Sequence, residues 1–325
     1  MKTLDAFRSL LSAGSTGWLR NVAPPAVLLV LIAVIGIASP GFLRADTLLV
    51  ILSDTAVLFV LAAGATFAIL IGGIDLSIQS VASLASVILA QLLPRLGLWA
   101  FVVAILAGVA SGYASGLVHV RLRVPSFVAT LATGGVVAGL GLLASNGRAI
   151  TIEETSRLDT TWMNQSLGGV PVVVIIAIAA GVASFLALRY TRFGRRCMVV
   201  GAGEPAAWAA GINVDRTKIL AFTVSGALAA LAGVILACRL SSGSPNLANQ
   251  TLLPAIAAVI VGGTAITGGL GGVERTAVGA LIISIVRIGM TFVGVDIFAE
   301  QMVFGAVLIG AVSVTIDRSK IAIIK

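Results

Sequence analysis

Long apolar runs recur along nearly the whole chain, and that recurrence constrains the fold more than any single motif does. A helix needs about 20 apolar residues to cross the hydrocarbon core at 1.5 Å per residue. Ten stretches are candidate spans: 24–39, 47–71, 77–93, 97–119, 125–144, 170–188, 217–238, 252–267, 276–293 and 299–316. In lipid every backbone polar group has to bond internally, so such runs form helices and not open sheets. Composition agrees: the chain is 58% hydrophobic and 10% charged, against about 25% charged residues in a soluble domain. The expected fold is all-α, a polytopic membrane bundle of about ten helices with two Gly-Gly helix breaks. The runs around Gly72 and after Leu252 are short enough that they need not cross fully.

Basic residues orient the bundle. With the N-terminus inside, 15 of the 21 Lys and Arg fall in cytoplasmic segments, against five (Arg44, Arg95, Arg148, Arg157, Arg239) in outer loops and Arg287 within a span. Lys and Arg favour cytoplasmic loops, so both termini of a multi-pass protein are expected in the cytosol. The net charge of +8 is spread over separate loops, which suits membrane topology and not nucleic acid. Residues 1–23 form a cytoplasmic segment in which Leu4, Phe7, Leu10 and Leu11 share one helical face, as an interfacial helix would. Residues 24–316 form the transmembrane domain, its first run read as a retained span, and 317–325 a cytoplasmic tail.

Two loops are long. The outer one, 145–169, carries Arg148, Glu153, Glu154, Arg157, Asp159 and Trp162. The inner one holds Gly201–Val214, GAGEPAAWAAGINV, an Ala/Gly-rich helical pattern flanked by Arg189, Arg192, Arg195, Arg196, Arg216 and Lys218. A cytosolic helix between membrane spans has little solvation reason to be apolar on one side, so it is expected to dock on a partner. That points to a pore driven by another subunit.

A short internal similarity aligns Ile69–Ser77 with Val259–Thr267, pairing Gly72-Gly73 with Gly262-Gly263. Glycine supplies the positive φ that a broken helix needs, and transporters place such interruptions in corresponding halves, where freed backbone lines a cavity. The spans are rich in small residues, among them Gly134, Gly135, Gly139, Gly141, Gly226, Gly233, Gly268, Gly269 and Gly279, which permit close helix approach.

Ionisable residues at membrane depth are Asp54, Asp75 and Arg287. Each costs about 2.5–3.5 kcal/mol at a helix centre, so each is expected to face the interior or to pair. Asp75, in GGIDLS, is placed to cap the helix starting near Ser77; a substrate-contacting carboxylate is the alternative. Enzyme chemistry lacks its parts: no phosphate loop is present, Gly139-x-Gly141-x-x-Ala144 lies inside an apolar span, and a single His, His119, allows no metal or triad constellation. Cys197 and Cys238 fall on opposite sides of the membrane and are read as packing residues.

Three blocks, GGIDLS at 72–77, GAGEPAAWAAGINVDRTK at 201–218 followed by SGALAALAGVI at 225–235, and LPAIAAVIVGGTAITGGLGGV at 253–273, resemble in order and spacing the permeases of ribose-type ABC sugar importers. The resemblance spans roughly residues 24–316. It implies a sugar or polyol pore paired with a second permease copy or a paralogue. A cytosolic ABC ATPase would drive it with its own ATP and Mg, and a periplasmic sugar-binding protein would feed it; no cofactor is implied in this chain. It also implies an ATPase-coupling segment at about 195–216, with Glu204, Ala206, Ala207, Gly211 and Ile212 at the matching positions; Gly201 and Ala210 of the same segment are read with them. The two broken-helix sites, Gly72, Gly73, Asp75 and Ser77 with Gly262, Gly263 and Thr264, are read as the substrate pathway, because interrupted helices expose backbone groups that can bond sugar hydroxyls. The chain departs from the pattern at Gly203, where relatives often carry Asn, and at Val273-Glu274-Arg275. An ion-coupled secondary transporter is the competing reading, and it would need more buried acidic or His relays than this sequence has.

Overall fold

The computed structural model describes residues 16–153, 160–296 and 299–315. The face Leu4/Phe7/Leu10/Leu11, the 317–325 tail, and Glu154, Arg157 and Asp159 lie outside them. The chain forms helices α1 (Thr16–Ala38), α2 (Ala45–Leu70), α3 (Ile78–Leu96), α4 (Trp99–Arg121), α5 (Ser126–Ser145) and α6 (Val172–Tyr190). It continues through α7 (Arg192–Ala202), α8 (Glu204–Ala209), α9 (Val214–Leu240), α10 (Leu252–Val261), α11 (Val273–Phe292) and α12 (Glu300–Thr315). Seven of these, α2 to α6, α9 and α11, are long and apolar enough to cross a membrane.

The run 252–267, read as a candidate span that need not cross fully, is helical over only part of its length. Helix α10 is only 10 residues, about 15 Å at 1.5 Å per residue, because the chain turns at Gly262-Gly263 and continues as loop to Gly272. The expected single helix over 201–214 is also two pieces: α7 runs into Ala202, Gly203 separates it from the short α8, and 210–213 is a turn.

Helix α9 is the hub, packed against α4, α2 and α3. Its start is set by Asn213, whose side chain accepts from the Arg216 N–H at 2.8 Å. Contact with α4 runs along Gly108, Gly112 and Gly116, one per turn, lying against Gly226, Phe222 and Ile219 of α9. A Cβ on Gly226 would come within 2.9 Å of the Gly112 backbone, so the two backbones touch, the source of helix association where lipid offers no hydrophobic drive. The sequence reading did not single out these α4 glycines, although their four-residue spacing in the run 97–119 is the signal that finds them. Gly135 and Gly139 behave differently: a Cβ there meets nothing within 4 Å, because they lie on the open side of α5.

On the side away from the long basic loop, Ser166–Leu167 and Val170–Pro171 pair as a hairpin (β2, β3) through Gly168-Gly169, both with positive φ. Ile150–Thr151 (β1) pairs antiparallel with Ser242–Gly243 (β4), tying the outer loop to the end of α9. Asn164 donates to the Cys238 carbonyl at 3.0 Å.

Candidate functional site

Three separated segments meet behind α7 and α8, the segment expected to couple to a partner. The Gly269 N–H donates to the Leu70 carbonyl at 2.9 Å, joining the end of α2 to the loop after α10. Gly201, in the last turn of α7, sits directly on this bond; a Cβ there would overlap both the Leu70 oxygen and the Gly269 nitrogen. Gly268 completes the junction, its Cβ direction pointing at 2.6 Å to the Gly72 nitrogen and 3.0 Å to Gly201 Cα. Backbone packs on backbone here, with no soft side chain between α7 and the two loops.

Both loops begin with the same helix-ending device. Gly72 N–H donates to Ile69 and Gly73 N–H to Ala68; Gly263 N–H donates to Ile260 and Thr264 N–H to Val259. These are paired Schellman bonds with the positive-φ residue at Gly72 (φ 78°) and Gly263 (φ 96°). The sequence alignment matched Gly72 with Gly262, and the structure shifts that register by one, since Gly262 is right-handed helical (φ −63°). Gly211 (φ 73°) ends α8 in the same way, its N–H bonded to Trp208 and that of Ile212 to Ala207.

Asp75 is buried at 2% exposure. Its Oδ1 accepts from the Ser77 N–H at 2.9 Å and the Ser77 hydroxyl at 2.6 Å, and its Oδ2 from the Ser225 hydroxyl of α9 at 2.7 Å. It therefore braces the start of α3 and ties it to α9. Neighbouring N–H groups are also occupied: Ile74 donates to Ser126 Oγ and Leu76 to Thr130 Oγ1, both at 3.0 Å. At the second loop, buried Thr264 accepts from the Gly272 N–H at 3.4 Å, and Thr66 bonds Thr276 at 2.7 Å, linking α2 to α11. The N–H groups at 72–74, 76 and 77 are thus committed to internal acceptors, which favours a hinge over a ladder of free donors.

The positions read from the sequence as coupling contacts divide by burial. Ala207 is fully buried in a cluster with Phe67, Leu70, Cys197, Val200 and Val273, and Ile212 packs against it. Glu204, Ala206, Ala210 and Gly211 are exposed. Glu204 pairs with Lys218 at 2.5 Å, fixing α8 to the start of α9. Ala207 therefore faces its own protein and not a partner groove, as the Ala/Gly pattern had suggested. The outward apolar group is Trp208, 77% exposed; Arg192, Arg195 and Arg196 of α7 are exposed as well. Burial pushes the Cys197 thiol up to about 12, so it is inert packing. His119 bonds the Val124 carbonyl at 2.6 Å and meets the Phe222 ring edge-on, a staple for the turn after α4.

Of the three ionisable residues expected at membrane depth, Asp54 and Arg287 form ion pairs, with partners the sequence did not reveal. Arg239, expected in an outer loop, lies in the last turn of α9 and binds Asp54 at 2.7 Å. Arg287 pairs with Glu300 of α12 at 2.9 Å. Among the described residues no group of three or more His, Cys, Asp or Glu is placed to hold a metal.

The described residues form a polytopic apolar bundle, seven of its helices long and apolar enough to cross a membrane, with a basic segment packed against its helix ends. Residues 47–312 match the family described as branched-chain amino acid transport system / permease component, and the chain belongs to that family. It is a multi-pass inner-membrane ABC permease. The ribose import permease protein RbsC of Bacillus subtilis (strain 168) is 35% identical over 94% of this chain and 95% of its own. RbsC of Escherichia coli (strain K12) is 35% identical over 93% and 95%, and the L-arabinose transport system permease AraH of the same strain 34% over 80% and 78%. Among solved structures, one described as an inward-facing metal-chelate type ABC transporter aligns with 90% of this chain and 100% of its own, at TM-score 0.48 and 17% identity.

Proposed function

We propose that this chain is the permease subunit of an ATP-driven importer of a sugar or related small polyol, delivered by a periplasmic binding protein. In this reading it has ten membrane segments, α10 being a half-span, with both termini in the cytosol. The cargo class is supported by relatives named for ribose and arabinose over most of their length. A pore whose ionisable groups pair internally also suits a neutral solute. A separate ATPase holds ATP and Mg, and two permeases, identical or paralogous, form the conduit.

The observation that carries the mechanism is the contact of Gly201 on the Leu70–Gly269 hydrogen bond. The ATPase grips the exposed face around Trp208, with Glu204, Ala206, Ala210 and Gly211 beside it. Buried Ala207 and half-buried Ile212 transmit the load into the bundle, and Gly201 passes it to both loop ends at once. Gly72, Gly73, Asp75 and Ser77 on one side, and Gly262, Gly263 and Thr264 on the other, then form the moving inner gate. The Schellman turns act as hinges, and Asp75 keeps α3 attached to α9 during the motion.

Trp208→Ala tests the grip. An exposed tryptophan leaves the fold undisturbed when truncated, whereas at an interface its loss costs about 2–4 kcal/mol. Membrane abundance and melting should match the native chain, while co-purification with the ATPase and ATP-dependent uptake fall at least tenfold. Unchanged uptake and ATPase recovery would remove this face from the interface.

A further inference from the structure

A cavity of about 650 Å³ opens within the bundle at the end of the helices away from the coupling segment. Asp54 on its wall lies 16 residues before Leu70 in α2, roughly 24 Å along a helix at 1.5 Å per residue. We infer that this cavity, between α2, α9, α11 and the turn at 246–251, is an outer holding site for an uncharged polyhydroxylated ligand. It is distinct from the inner gate, and the inference rests on the importer reading for its cargo class.

The wall is built, not incidental. The 246–251 turn dips against α3, where the Ala248 N–H donates to Ser83 Oγ at 3.0 Å and Ser86 Oγ donates to the Ser244 carbonyl at 3.2 Å. This bracing sets Asn246, Asn249 and Gln250 on the cavity lining, together with Ser284 and Arg287 of α11. Asn249 donates to Asn246 Oδ1 at 3.1 Å, leaving the Asn249 carbonyl and the Asn246 amide nitrogen to serve a ligand. An amide offers donor and acceptor side by side, which matches vicinal hydroxyls. The charges are balanced in place: Arg239 binds Asp54 and the Ser53 carbonyl, and Arg287 binds Glu300. A charged ligand finds no uncompensated partner there. Val57, Leu61, Leu236 and Ile283 give an apolar floor for the C–H face of a sugar. None of the lining residues is aromatic, so no ring stacks on the ligand and it is held loosely enough to leave. The volume lies within the range of about 300–1,000 Å³ usual for small-ligand sites.

Asn249→Cys in the assembled permease–ATPase complex tests this, since Cys197 and Cys238 are buried and silent to label. A membrane-impermeant maleimide should react from the outer face and not the inner. Ribose or mannitol, added without binding protein, should slow the reaction, while choline and glutamate should not. In the full system Asn249→Ala and Ser284→Ala should raise the sugar level for half-maximal uptake about tenfold, the scale of one lost hydrogen bond, with maximal rate and abundance kept. Labelling from the inner face, equal protection by choline or glutamate, or uptake unmoved by both alanine variants would overturn the site. If the native complex imports no sugar, the importer reading fails on its own; outer labelling slowed by mannitol alone would still uphold a neutral-polyol cavity.

Discussion

Gly201→Val abolishes ATP-dependent uptake while Gly139→Val leaves it intact: this is the contrast expected from two glycines in one chain. At Gly201 the first added carbon falls on the Leu70 carbonyl and the Gly269 amide, which are bonded to one another at 2.9 Å. Neither atom belongs to a flexible side chain, so α7 has to lift away or that bond has to break. Overpacking a close contact costs about 1–3 kcal/mol even where side chains can shift, and here only backbone can give. Spread over a gate that must close in register, a loss of this size reduces uptake by roughly ten- to a hundredfold or more. A β-branched residue at Gly139 meets nothing within 4 Å and should cost little. The measurement is initial uptake rate at equal membrane abundance. A Gly201→Val protein working within a factor of two of native would show that the junction does not carry the motion.

Asp75 gives the second large effect. Leucine at this position leaves three buried donors, the Ser77 N–H, the Ser77 hydroxyl and the Ser225 hydroxyl, without their acceptor. Each costs about 1–3 kcal/mol when unsatisfied, and the hydroxyls recover part of this by rotating. Asp75→Leu should therefore lose several-fold or more of its half-life at elevated temperature in detergent, and lose uptake with it. Asp75→Asn keeps an acceptor for Ser77, and Ser225 can turn to accept from the new amide, so stability and most transport remain. A half-life is the correct readout, because membrane proteins commonly unfold irreversibly. Equal half-lives for the Leu and Asn variants would contradict the bracing role. A collapse of uptake in Asp75→Asn at native stability would instead favour a carboxylate that touches cargo.

Helix positions were largely legible because lipid leaves the backbone one option, and run length measures it directly. The end of α2 at Gly72 and the helix start after Asp75 followed from local chemistry, a positive-φ glycine and a short acid before an apolar run. What escaped the sequence was whatever depends on depth. The run 252–267 has the hydropathy of a span, yet the chain turns at Gly263, and nothing in hydropathy distinguishes half a crossing from a whole one. Ala207 and Trp208 carry the expected composition of a docking helix, but only the packing of Phe67 and Val273 decides that Ala207 faces inward. Arg239 read as a loop residue because its partner Asp54 is 185 positions away. The outer cavity had the same difficulty: its amides are ordinary loop residues until Ser83 and Ser86 pull the turn into the bundle.

Reconstitution tests the central claim most directly. The permease, its cognate ATPase and the periplasmic binding protein are placed in vesicles, and uptake of labelled ribose and arabinose is followed with ATP inside on the ATPase face. Uptake should require all three proteins and ATP hydrolysis, and a proton or sodium gradient should neither drive nor abolish it. Accumulation driven by an ion gradient with the ATPase omitted would contradict the account and mark the chain as a secondary transporter.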